Sequence, residues 1–318
     1  YPGVYYQDVD IQGVDASVVS LAAAEVTVIA GATYGVYMDG GEAVTLEGLT
    51  IWAGSYGAYI VSSSPTFEDC WFRFNYSYAA YNYHYSNPTY RNCLFEENSG
   101  SYPFYSYYYV DLTVDGCTFR DNNATHGGGM YIDSYCDVDV TNSVFDGNVA
   151  SSHAGAIYGY YSELNVEGCT FSDNSGYYGT ISLNSMSSPS LLDGNTFAGN
   201  YAYYGGALYT YDTSAHVTHN LLNGNEASYG GGLYIDYYSH LLVANNTLVG
   251  NEASTYGGGV YASYYLGTAL VNNVIAFSPD GAGIYSDYAA ESMRLYIANN
   301  DVYGNYDGEY GGALTDHT

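Results

Sequence analysis

Apolar and polar residues alternate along the chain in units that recur about every 25 residues. Within a unit, apolar side chains lie two positions apart on both sides of a short break containing Gly, Asn or Asp, as in LTVDGCTF at 112–119. A period of two is typical of strands, and the break is typical of a turn. Because one such unit cannot bury its apolar face alone, the pattern predicts coils stacked in register.

The repeat is clearest at one apolar anchor, which recurs every 21 to 27 residues. No linker or shift in composition interrupts it, so we expect residues 1–318 to form a single parallel β-solenoid domain of about a dozen coils, with less regular first coils over 1–43. The anchor positions are Ile51, Phe72, Phe95, Phe119, Phe145, Phe171, Phe197, Leu222, Leu248, Ile275 and Val302.

Asparagine occupies the position three residues after most anchors. Stacked amides at a turn can hydrogen-bond along the solenoid axis, so we predict a structural asparagine ladder. Its members are Asn75, Asn98, Asn122, Asn148, Asn174, Asn200, Asn225, Asn251 and Asn305. Two residues before the anchor, four of the five cysteines share a column, which we interpret as small buried apolar groups rather than as a disulfide scaffold.

Two short motifs carry a resemblance to a known family. F-x-x-N phrases such as FRDN at 119–122 and FDGN at 145–148 are each followed by a glycine-rich phrase, such as GGGM at 127–130 and AGAI at 154–157. In these motifs the chain resembles the right-handed parallel β-helix repeats of the polymorphic outer-membrane protein and adhesin type. The resemblance implies an all-β right-handed parallel β-helix at the surface of a bacterial cell or outside it.

Tyrosine is in phase with this repeat. The chain has 44 tyrosines, and after most glycine-rich phrases one of them follows an aliphatic residue that is the better core candidate. Because side chains alternate between the two faces of a strand, the tyrosine then points outward. More tyrosines cluster just before and just after this position. We predict an outward tyrosine ladder that makes contact with a partner. It comprises Tyr37, Tyr59, Tyr81, Tyr105, Tyr131, Tyr158, Tyr209, Tyr234, Tyr261 and Tyr285.

Net charge and hydropathy limit the kinds of partner that the protein can bind. The chain has 33 acidic residues against four arginines and no lysine, a formal net charge of −29, so we expect it to bind neither nucleic acid nor anionic lipid. A 47% hydrophobic and 18% aromatic composition indicates a packed core rather than disorder. No apolar run approaches the roughly 18 residues of a membrane span. Because the first residue is Tyr1 rather than a methionine, we expect that a leader has been removed and that the protein is extracellular or at the cell surface.

Catalytic and metal-binding patterns are weak. Arg73 and Arg120 alternate with Glu96 at one position in successive coils, which favours a structural charge ladder, and no coil gathers several acids with a base. His216 and His219 are three apart on a strand and so point to opposite faces. We predict no enzyme and no cofactor, while calcium binding stays open without a site.

Three interpretations of the tyrosines stay open. The first is a structural protein that self-associates into a fibre or sheath through the tyrosine ladder and open solenoid ends, since the chain begins and ends inside repeat phrases. The alternative is a carbohydrate-binding adhesin in which the rings are stacking platforms for sugars. The third is plain stacking of a residue with high β-propensity. From the sequence we predict the first of these, in which the partner is a further copy of the chain. In the alternative, the partner is a glycan.

Overall fold

The computed structural model describes residues 2–11, 17–20, 24–52, 54–264, 267–289 and 294–314. Within these ranges the chain winds through three parallel sheets, A, B and C, in that order in each coil. Sheets A and B have thirteen described strands each, and sheet C has twelve. This architecture confirms the predicted all-β parallel β-helix.

The strands of each sheet are short and pair in register with the coils before and after. Sheet A consists of Gly3–Tyr5, Thr27–Ile29, Thr50–Trp52, Trp71–Arg73, Leu94–Glu96, Thr118–Arg120, Val144–Asp146, Thr170–Ser172, Thr196–Ala198, Leu221–Asn223, Thr247–Val249, Val274–Ala276 and Asp301–Tyr303. Sheet B consists of Val9–Asp10, Tyr34–Asp39, Tyr56–Val61, Tyr78–Tyr83, Phe104–Tyr107, Met130–Asp133, Ile157–Tyr160, Ile181–Asn184, Leu208–Tyr211, Leu233–Ile235, Val260–Ala262, Ile284–Ser286 and Tyr310–Gly312.

Sheet C closes the coil, and a few short elements lie between the sheets. Sheet C consists of Ser17–Val19, Thr45–Glu47, Thr66–Glu68, Thr89–Arg91, Asp111–Asp115, Asp137–Thr141, Glu163–Glu167, Ser190–Asp193, Ser214–Thr218, His240–Ala244, Ala269–Val271 and Tyr296–Ala298. The short elements are the strands Asn123–Ala124, Val149–Ala150, Tyr201–Tyr204, Glu226–Tyr229 and Glu252–Tyr256 and the 3-10 turn Ala24–Val26. Among the described residues, no helix has the length and apolar character to cross a membrane.

The anchor residues of sheet A form the centre of the core. The six phenylalanines from Phe72 to Phe197 are buried and stack almost parallel, with successive ring centroids 4.6–4.9 Å apart. This spacing equals the separation of paired strands, so each ring covers the next along the axis. The five cysteines are buried beside this column as free thiols, which fits their interpretation as small apolar groups.

The turn from sheet A to sheet B holds the asparagine ladder inside the coil. The Asn148 Nδ2 donates to the Oδ1 of Asn174 at 2.9 Å and to the carbonyl of Phe119 at 2.8 Å, and the same Oδ1 accepts the Asn148 backbone N–H at 3.0 Å. The next coil repeats this pattern from Asn174 to Asn200. Each amide therefore links the preceding coil to the following one.

The residues that precede the ladder asparagines have a left-handed backbone. Asp121, Gly147 and Asp173 have φ values of 53°, 63° and 54°. This left-handed backbone is readily adopted by glycine and tolerated by Asp and Asn. It turns the chain so that the following asparagine points into the coil.

One charge cluster lies on the outer face of sheet A. Glu96 is buried and pairs with Arg73 at 2.6 Å and with the Nε of Arg120 at 2.8 Å. The three residues are in register in consecutive coils. The geometry agrees with the structural role expected for these arginines.

Replacing a ladder asparagine should destabilise the fold strongly. Asn174→Ala leaves the Asn148 backbone N–H and side-chain amide without their acceptor, and removes the donor to the Phe145 carbonyl. Orphaned buried groups cost about 1–3 kcal/mol each, so we expect a loss of roughly 2–4 kcal/mol in urea unfolding. The exposed Asn223→Ala is the control. Equal unfolding midpoints for the two variants would contradict a stabilising ladder.

Glu96→Gln tests the charge cluster. It leaves two arginines facing each other across a neutral amide, so we expect unfolding to become easier by about 1–2 kcal/mol, a value between those of surface and buried ion pairs. The neighbouring exposed Glu97→Gln serves as the control and should leave the urea midpoint unchanged. No difference between Glu96→Gln and the control would show that the cluster adds nothing to stability.

Candidate functional site

The outer face of sheet B carries the tyrosine ladder, and we call this surface the tyrosine face. All ten predicted tyrosines lie on it in one middle column. Rings of consecutive coils stack with centroids 4.9 Å apart for Tyr131 and Tyr158, and 4.7 Å for Tyr234 and Tyr261. The sequence identified this column correctly because its period of two separates it from the buried aliphatic residue before it.

The middle column is less exposed than alternation alone suggests. Tyr158 is only 4% and Tyr261 only 5% exposed. The reason is that rings stacked along the axis cover each other's faces, and rings of the flanking columns cover their edges. Solvent therefore reaches edges and hydroxyl groups, and ring faces are available only where a stack is interrupted.

A leading column runs beside the middle column on the side of the preceding turn. It includes three residues that the sequence analysis missed, His126, His153 and Tyr178. Their signal was present, because each precedes a glycine-containing phrase at or near the same phase as the tyrosines already noted. The column consists of Tyr34, Tyr56, Tyr78, Tyr102, His126, His153, Tyr178, Tyr204, Tyr229 and Tyr256.

A trailing column lies on the other side, and it alternates rings with polar residues. In register it reads Tyr83, Tyr107, Asp133, Tyr160, Asn184 and Tyr211. The leading and trailing tyrosines are mostly half-exposed, whereas the tyrosines of the middle column are buried from Tyr131 to Tyr261, so this part of the column lies between two more accessible ones.

Carboxylates fix the orientation of several middle-column rings. The hydroxyls of Tyr105 and Tyr131 donate to Asp133 at 3.1 and 3.2 Å, and that of Tyr209 donates to Asp236 at 3.1 Å. Burial, followed by the neighbouring carboxylate, raises the pKa of these three phenols. They therefore remain protonated hydrogen-bond donors at neutral pH.

The middle column has one break, at Ser182. Strand register places Ser182 between Tyr158 of the preceding coil and Tyr209 of the following coil. A pocket of about 210 Å³ opens there, which we call the Ser182 pocket. It is lined by His153, Tyr178, Ser182, Asn184, Tyr209 and Tyr211.

Two histidines replace tyrosines next to this break. The rings of His126 and His153 stack 4.8 Å apart, and His153 lies 4.4 Å from the ring of Tyr158. Burial, with a smaller contribution from His126, lowers the pKa of His153 to about 4. His153 is therefore neutral at physiological pH, and its buried Nδ1 has no hydrogen-bond partner among the described residues.

A separate cleft of about 340 Å³ lies on sheet A, and it contains both tryptophans of the chain. The Arg73 guanidinium lies 5.6 Å from the ring of Trp71 and 5.2 Å from that of Phe74. Trp52 and Glu25 complete the accessible wall. Because this cleft is on a different face, tryptophan emission reports on sheet A and not on the tyrosine face.

The other residues considered from the sequence do not come together. His219 binds Asp193 at 2.8 Å on the surface, while His216 is in register with Leu191 and Leu242. No cluster of His, Cys, Asp or Glu suited to a metal ion occurs in the part of the chain that the structure describes.

Solved structures with similar folds are enzymes acting on polysaccharides. The catalytic domain of a GH87 alpha-1,3-glucanase in complex with nigerose matches with a TM-score of 0.55 at 12% identity, over 94% of this chain and 63% of that one. The periplasmic alginate epimerase AlgG matches with a TM-score of 0.55 at 10% identity, over 95% of this chain and 78% of that one. The chain thus spans less than two thirds of the glucanase catalytic domain. No curated protein matches it in sequence.

These comparisons correct two predictions. A non-enzymatic structural protein that self-associates into a fibre or sheath is contradicted, because the similar structures are a glucanase and an epimerase. The prediction that the chain is not an enzyme is wrong for the same reason. That prediction depended on missing catalytic patterns, and a missing pattern does not exclude an activity. At this identity the likeness itself shows the fold, and it assigns no reaction.

The family follows from the sequence together with the architecture. A model described as right-handed beta helix region matches residues 15–153, 107–248 and 155–318. The matched segments overlap and together span 15–318, and the three parallel sheets supply the corresponding coils. The chain belongs to the right-handed β-helix family.

Proposed function

We propose that the protein binds a polysaccharide along the tyrosine face. The observation that carries this proposal is the repeated ring spacing on sheet B. Neighbouring rings of the middle column lie 4.7–5.6 Å apart wherever the column is continuous. A polysaccharide repeats its sugar units on a comparable length scale, so a glycan lying along the axis would meet equivalent groups coil after coil.

The chemistry of the exposed groups supports a sugar ligand. Tyrosine combines an apolar ring with a hydroxyl that can donate and accept hydrogen bonds, and sugars offer C–H faces and hydroxyl groups in return. The half-exposed leading and trailing columns would contact the glycan, while the buried middle column holds them in register. The similar folds of a glucanase and an alginate epimerase add support for a glycan as ligand.

Charge favours a neutral glycan over an acidic one. The chain carries a net charge of −29, and Asp133, Asp236 and Asp287 lie among the rings of the tyrosine face. Alginate is a polyanion, and it would be repelled by this field, whereas an α-1,3-glucan carries no charge. We therefore place a neutral glucan first among the ligands, and we place the protein outside the cytoplasm, where such polysaccharides occur.

Removing accessible rings should weaken glycan binding. In a triple variant, Tyr204, Tyr229 and Tyr256 of the leading column are replaced by alanine. Aromatic contacts contribute about 0.5–1.5 kcal/mol each, so the loss of three should make α-1,3-glucan oligosaccharides bind roughly 10–1,000 times more weakly in calorimetric titration. The control variant replaces Tyr296 and Tyr303, which are exposed tyrosines on sheets C and A.

Two further readouts make this test specific. The first is tryptophan emission, which would change if the glycan bound in the sheet A cleft. A change in emission, together with wild-type affinity in the triple variant, would show that the glycan does not bind on the tyrosine face. Chromatography of the oligosaccharides after incubation shows whether the protein also cleaves them. Failure of the wild-type protein to bind any neutral glycan on an array would reject the proposed function.

A further inference from the structure

The middle and trailing columns lack tyrosine in the coil of Ser182, and the leading column has histidine in the coil before it. The leading column has His153, the middle column has Ser182, and the trailing column has Asn184. These substitutions fall in two consecutive coils and surround one cavity. A single substitution would be ordinary sequence variation, but three that converge on one cavity create a polar pocket in an otherwise aromatic surface.

The pocket lies where the middle column lacks one ring. Tyr158 and Tyr209 are separated by two strand spacings, about 9.5 Å, and every continuous part of the column fills such a gap with a ring. Here Ser182 contributes only a hydroxymethyl group. The Tyr178 ring leans toward Tyr209, with a centroid distance of 4.8 Å and a tilt of 47°, and the remaining space forms the pocket.

Two tyrosines at the pocket stack on one side only within their columns. Tyr209 stacks on Tyr234 at 5.5 Å, and Tyr211 stacks on Tyr237 at 5.7 Å, both in the following coil. On the side of the preceding coil they are in register with Ser182 and Asn184 rather than with rings. The break thus turns two neighbouring rings toward a polar cavity.

The polar groups of the pocket are neutral. Burial holds the pKa of His153 at about 4, so none of the six lining residues is charged at neutral pH. The His153 Nδ1 is buried without a hydrogen-bond partner among the described residues, which is a cost to the folded chain. Asn184 adds an amide, whose oxygen also accepts from the Ser185 hydroxyl at 2.9 Å.

We propose that the Ser182 pocket binds one neutral pyranose ring of the polysaccharide on the tyrosine face. The sugar takes the place of the missing phenol ring, with its C–H groups against Tyr209 and Tyr211 and its hydroxyls toward Ser182, Asn184 and His153. Tyr209 is already held in place by Asp236, so the pocket is formed before the ligand arrives. This inference rests on the proposed function. It adds a site that fixes the position of the glycan along the tyrosine face.

The sharpest test fills the pocket. Ser182→Tyr completes the middle column, so we expect the thermal unfolding midpoint to stay the same or rise. The same substitution should weaken binding of α-1,3-glucan oligosaccharides about tenfold, because the sugar loses its place. Ser214→Tyr, which adds an identical ring to the outer face of sheet C, is the matched control and should bind like wild type.

The outcomes separate the two proposals. Binding lost in Ser182→Tyr and kept in Ser214→Tyr supports the pocket. Equal binding by wild type and Ser182→Tyr overturns the pocket but leaves glycan binding elsewhere on the tyrosine face. Absence of binding in wild type overturns the proposed function and the pocket with it. If Ser182→Tyr does not fold, Asn184→Ala decides, since wild-type affinity in that variant would reject the pocket.

Discussion

The register between coils is the constraint on which the rest of the molecule depends, and the buried asparagine ladder is its most specific element. An amide such as Asn148 has a donor to the next coil and a donor to the carbonyl of the preceding one, so a shift by one residue would leave both unsatisfied. Apolar stacking alone is not directional and would tolerate such a shift more readily. The ladder therefore specifies the alignment, and the phenylalanine column packs along the axis inside the coil.

Register also determines what the tyrosine face can offer a ligand. Once equivalent residues are aligned at strand spacing, planar rings stack along the axis and cover each other, as Tyr131 and Tyr158 do. A perfect aromatic column thus presents edges and hydroxyls but few faces. An interruption has the opposite effect, because a small residue such as Ser182 removes one ring and leaves a pocket beside its neighbours.

Most of the fold could be predicted from the sequence because repetition multiplies a weak signal. A single F-x-x-N phrase is a weak signal, but eleven anchors in phase define the coil, the ladder and the outward tyrosines. The site was predicted less completely for the same reason. Aligning the chain on tyrosine emphasised the positions that obey the repeat, so His126 and His153 were overlooked although they occupy the leading column. Burial of the middle column between Tyr131 and Tyr261 was also not predicted. Alternation along a strand shows on which face of the sheet a side chain lies, and it does not show how far neighbouring rings shield that side chain from solvent.

In a solenoid, therefore, departures from the repeat carry more information about function than the repeat itself. A repeated residue is sufficiently explained by stacking on its own copies, which is a structural reason. The substitutions at His153, Ser182 and Asn184 depart from the repeat, and all three residues line one cavity. The Nδ1 of His153 is also buried without a hydrogen-bond partner among the described residues, which is a cost to the folded chain. A polysaccharide ligand gives these three substitutions a common physical cause.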